Sequence, residues 1–71
     1  MRYSFTIYFN TDRFEHGWKE SFKSYRVMKV TLLKILDDTV KTVILEDKVN
    51  AHKRFFNKEE VITHLKDFNT I

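Results

Sequence analysis

The sequence predicts an α+β domain: a small three-stranded, mainly antiparallel sheet packed by a C-terminal helix and a second helix, in the order β-α-β-β-α. Three observations carry this reading. Tyr3, Phe5, Ile7 and Phe9 alternate with Ser4, Thr6 and Tyr8, the period of two that puts one set on a buried sheet face. Val43-Ile44-Leu45 is an apolar centre bounded on both sides by turn-forming residues. Asn57 followed by Glu60 has the spacing of a helix-opening capping box.

The first strand runs through Tyr3–Phe9, and Asn10-Thr11-Asp12-Arg13 reads as a turn leading into an irregular loop with Phe14 and His16. Residues 18–36 support two readings. As a helix, Trp18, Ser21, Tyr25, Met28, Leu32 and Ile35 recur at steps of three and four, with Phe22 and Leu36 beside that seam and Lys19, Lys23, Arg26 and Lys34 opposite. Gly17 would then cap the helix, with Glu20 at its third position. Against a helix stand β-branched Val27, Val30 and Thr31, and Asp37-Asp38 at the negative end of the dipole. The rival makes residues 27–36 a strand that turns at Asp37-Asp38-Thr39, sets Lys29 opposite Glu46 or Asp47, and gives the order β-β-β-β-α. The helix is the preferred reading.

Thr39 to Asp47 reads as a strand, Asp47-Lys48-Val49-Asn50 as a turn, and His52 to Phe56 as a short returning strand. In the last helix Asn57 is the cap, Phe56 can staple to Val61, Glu59 and Glu60 suit the positive end of the dipole, and Lys66 suits the negative end. Its apolar stripe is Val61, Ile62, Leu65 and Phe68. Residues 1–71 read as one domain with no linker, repeat or low-complexity tract.

With 71 residues, one Gly, no Pro and no Cys, the chain excludes several classes of function. A domain this short buries only about 60% of its unfolded surface, and no disulfide is available to compensate. Thiolate metal clusters and Gly-rich phosphate loops are ruled out by the same counts. No apolar run exceeds three residues, against the roughly 20 needed to span a bilayer, and the N-terminus lacks the apolar core of a signal peptide. The expectation is a cytoplasmic protein without a membrane partner. Lys, Asn, Ile, Phe and Tyr supply 28 residues, which suggests an AT-rich genome such as that of a low-GC bacterium, its phage or a mobile element.

The net charge of +3 is uneven, because residues 1–36 carry seven Lys/Arg against three Asp/Glu. Such an excess steers toward phosphate or an acidic partner. Catalytic sets are harder to assemble. Ser4, Ser21, Ser24, His16, His52 and His64 supply hydroxyls and bases, yet none lies in a recognisable nucleophile context. Asp12, Glu15 and His16 could do acid–base work only if their loop closed over a cleft, and read more simply as polar surface. Glu60, His64 and Asp67 share a helix face but fall short of a metal site; an ordinary Glu60–His64 pair with a half-exposed His64 is the simpler expectation.

The expected function is therefore non-enzymatic, without cofactor or metal: a small binding or regulatory protein that meets another protein, or a second copy of itself, through Trp18, Phe22, Tyr25, Met28 and Leu32. The alternative is nucleic-acid binding through Lys19, Lys23, Arg26, Lys29 and Lys34. On the first strand only Tyr8 would face away from the core and be free to stack a base.

Overall fold

A computed structural model describes residues 1–10 and 16–71. The turn and loop expected at Thr11, Asp12, Arg13 and Phe14 lie outside the described residues. The described elements are β1 (Tyr3–Phe9), β2 (Trp18–Phe22), α1 (Tyr25–Ile35), β3 (Val40–Asp47), β4 (His52–Asn57) and α2 (Lys58–Asp67). The architecture is α+β, but the sheet has four strands in the order β2-β1-β3-β4, every neighbouring pair antiparallel. Both the expected three-stranded β-α-β-β-α order and its rival β-β-β-β-α are corrected to β-β-α-β-β-α.

The correction originates in residues 18–36, which contain both a strand and a helix. Trp18, Glu20 and Phe22 alternate with Lys19 and Ser21 and pair with Ile7, Phe5 and Tyr3 of β1. Pairing with a neighbouring strand thus overrides the helical spacing that Trp18 and Ser21 happen to share with Tyr25. The helix begins only after Ser24, and Met28 N–H makes the first helical bond, to Ser24 O. It ends at Ile35 with Leu36 as its C-cap, and the aspartates just beyond that end have partners of their own: Asp37 accepts from Thr39 N–H, and Asp38 pairs with Lys58 at 3.0 Å. Three β-branched residues lower helix propensity by only a few tenths of a kcal/mol each, less than the burial of Met28 and Leu32 in the core supplies. The strand alternative for residues 27–36 is therefore corrected as well, and Glu46 and Asp47 pair with Lys53 and His52 rather than with Lys29.

The order ββα occurs twice. β1 and β3 pair at the centre, with Phe5 opposite Leu45 and Ile7 opposite Val43, while β2 and β4 form the edges. α1 packs on β1 and β2, and α2 on β3 and β4, so the halves are related in topology by a two-fold axis normal to the sheet. Phe5, Ile7, Val43, Leu45 and Phe56 share one sheet face by register, and with Tyr25, Met28 and Leu32 of α1 and Val61 and Leu65 of α2 they form a single core.

Local chemistry fixes the ends. Asn57 Oδ1 accepts from Glu60 N–H at 2.8 Å while Glu60 Oε1 accepts from Asn57 N–H at 2.9 Å, the reciprocal box that opens α2. Buried Asp47 closes the β3–β4 turn: it accepts from Val49 N–H, Asn50 N–H and Asn50 Nδ2, and Arg2 holds both of its oxygens at 3.0 and 3.1 Å. The Arg2 guanidinium, followed by the turn amides, holds the Asp47 carboxyl at a pKa of about 2 against the opposing effect of burial.

Candidate binding surfaces

The residues expected to form a protein-binding seam occupy two elements. Trp18 and Phe22 are half-buried on the core face of β2, where Trp18 Nε1–H donates to Glu20 Oε1 at 3.1 Å and Phe22 lies against Phe5 with ring centres 5.5 Å apart. Tyr25, Met28 and Leu32 are core residues of α1. Tyr25 stacks edge-on against Tyr3 at 5.6 Å, its hydroxyl is buried without a hydrogen-bond partner, and burial raises its pKa. The seam is thus mostly interior packing.

The outer side of α1 is different in kind. Val27, Val30 and Leu33, at steps of three, are 54%, 46% and 39% exposed. Arg26, Lys29 and Lys34 stand among them, and the helix contains no Asp or Glu. A groove of about 550 Å³ lined by Ser24, Tyr25, Arg26, Lys29, Val30 and Asn69 opens beside this side. The valines that argue against a helix in the sequence are therefore its solvent-facing row, a placement the seam pattern did not single out.

A second surface is the sheet face that the helices leave open. By register it carries three cross-strand rows: Ser21, Ser4, Glu46 and Lys53; then Lys19, Thr6, Ile44 and Phe55; then Tyr8, Thr42 and Asn57. Phe55 is 65% exposed and Tyr8 38% exposed, and Phe55 also lines a groove with Glu59 and Glu60 of α2 at the sheet edge. Gly17, at φ +83°, lets the backbone pass close to Tyr8: a Cβ there would stand 3.0 Å from Tyr8 Cε1 and 3.2 Å from Ile7 O. Phe55 was legible from the sequence, since adjacent phenylalanines in a strand must point to opposite faces.

The basic set divides between these surfaces. Lys19 lies on the open sheet face, Lys23 in the β2–α1 connection, and Arg26, Lys29 and Lys34 on α1, which covers the other face. The five cations do not make one patch.

Of the remaining polar candidates, Glu60 and His64 have local structural roles. Asp12 and Glu15 lie outside the described residues, and His16 is exposed. Glu60 is used in the capping box, so it does not pair with His64 as expected. His64 is buried rather than half-exposed: its ring sits between Phe56 and Phe68 at 5.0 and 5.1 Å, and its Nε2–H donates to Thr70 O at 2.7 Å. Among the described residues no group of three His, Asp or Glu is placed to hold a metal ion, and no helix is long and apolar enough to cross a membrane. Compared with known protein families, curated proteins and solved structures, the chain has no significant match.

Proposed function

We propose that this chain is a non-enzymatic binding protein that docks a partner protein on the outer side of α1. The reading rests on one observation: an exposed aliphatic row, Val27-Val30-Leu33, runs along a helix that bears three cations and no carboxylate. Single exposed apolar residues are ordinary, whereas a row of them beside a groove is the pattern of an interaction site. The charge selects the partner. A second copy docked by two-fold symmetry would bring Arg26, Lys29 and Lys34 toward their own counterparts, so the favoured occupant is a different protein with an apolar strip edged by Asp and Glu.

Affinity capture from the native host with the wild-type protein and the Val30→Ser/Leu33→Ser variant tests this. Both positions are exposed, so the variant keeps the fold. The expected result is a captured acidic protein that is lost with the variant and weakened by salt. An unchanged capture pattern, or a homodimer dispersed by the same substitutions, overturns the reading.

A further inference from the structure

The open sheet face carries chemistry that the α1 surface does not. Two aromatic side chains, Tyr8 and Phe55, stand exposed on it, with Lys19 and Lys53 on the two edge strands. Among the described strand residues its one carboxylate by register, Glu46, accepts from the Ser4 hydroxyl at 3.4 Å. Lys53 Nζ lies 5.8 Å from the centre of the Phe55 ring, so a cation and a stacking platform share one corner. Tyr8 shares a row with Thr42 and Asn57, while Phe55 lies two residues along β4 from Asn57. Strand spacing across the sheet and rise along it then separate the Tyr8 and Phe55 Cα atoms by about 12 Å.

We propose that this face binds single-stranded nucleic acid, with Tyr8 and Phe55 stacking bases and Lys19 and Lys53 meeting backbone phosphates. Every base offers a flat π-face to an aromatic ring, so paired exposed rings with flanking cations suit an unpaired strand of any sequence. A duplex fits poorly. Its bases are already stacked, and the outer strands of a four-stranded sheet are about 14 Å apart, wider than the roughly 12 Å major groove that admits a two-stranded ribbon. A protein partner would find this face less apolar than the α1 row, since Thr6, Thr42 and Asn57 share it with the two rings by register. The surface lies across the sheet from α1, so a nucleic acid and the proposed protein partner can be held together.

The test is fluorescence anisotropy with short labelled oligothymidylate and oligouridylate, against a duplex of equal length, over a range of salt. Single strands are expected to bind more tightly than the duplex. The log–log salt slope should be about −1.4 for two phosphate contacts, falling by about 0.7 in Lys19→Gln or Lys53→Gln. Phe55→Ala and Tyr8→Ala should each weaken binding about tenfold. Amide shifts of the wild-type protein on titration should map to residues 4, 6, 8, 19, 42, 44, 53 and 55, a readout that needs no variant. Absence of binding at low salt overturns the proposal. So does binding unaffected by Phe55→Ala and Tyr8→Ala, or binding lost with Arg26→Gln/Lys34→Gln while Lys19→Gln/Lys53→Gln leaves it intact.

Discussion

Phe55 and Phe56, adjacent in β4, stand on opposite faces of the sheet: Phe56 is buried opposite Val43, and Phe55 is exposed opposite Ile44. Truncating them should therefore have unlike effects. Phe56→Ala removes a core ring and is expected to cost about 3–5 kcal/mol, enough to unfold much of a domain this small. Phe55→Ala should change stability by roughly 0.5 kcal/mol or less. Urea denaturation followed by circular dichroism distinguishes them.

α1 should show the same asymmetry. Leu32, fully buried, is expected to lose about 2–5 kcal/mol on change to Ala, whereas exposed Leu33 should lose well under 1 kcal/mol. Equal losses at the two positions, measured by the same denaturation, would mean that the helix is rotated relative to its described setting.

β1 and α2 mark what the sequence disclosed. β1 was legible because strict alternation reports one buried face, and α2 because Asn57, Glu60, Glu59 and Lys66 are local signals that need no tertiary information. Residues 18–36 were not, because β2 is set by pairing with β1, a contact between distant residues. Its Trp18 and Ser21 fall by coincidence into helical register with Tyr25, which merges a five-residue strand and an eleven-residue helix into one apparent seam. The same merging placed the candidate site on the inner side of the helix. Because Met28 and Leu32 face the core, Val27, Val30 and Leu33 form the row on the opposite, exposed side.

Asp47 sets an acid limit on stability. Its folded pKa of about 2 lies below the ordinary unfolded value near 3.9, so as pH falls the unfolded chain takes up the proton first. Its contribution is complete above about pH 4 and is lost as pH falls toward about 2. Thermal melts across this range should show that loss in the wild type. Asp47→Asn should be less stable at neutral pH and should show a shallower dependence between those values.

Gly17 is the position least able to accept a side chain. Gly17→Ala forces an L residue to φ +83° and sets its Cβ against Tyr8 and the Ile7 carbonyl, at an expected cost of about 1–2 kcal/mol or more. Because the flexible partner in that clash is the Tyr8 ring, the variant should also shift the Tyr8 ring resonances in an NMR spectrum.

Docking on the outer side of α1 is tested most directly by site-specific photo-crosslinking in the native host, with the reactive residue placed at Val30 or, as control, at Val49. Both positions are exposed and aliphatic, but Val49 lies in the β3–β4 turn away from the cations of α1. An adduct with one acidic protein at Val30 that is absent at Val49 is the expected result. No adduct at Val30, or the same adducts at both positions, would contradict it.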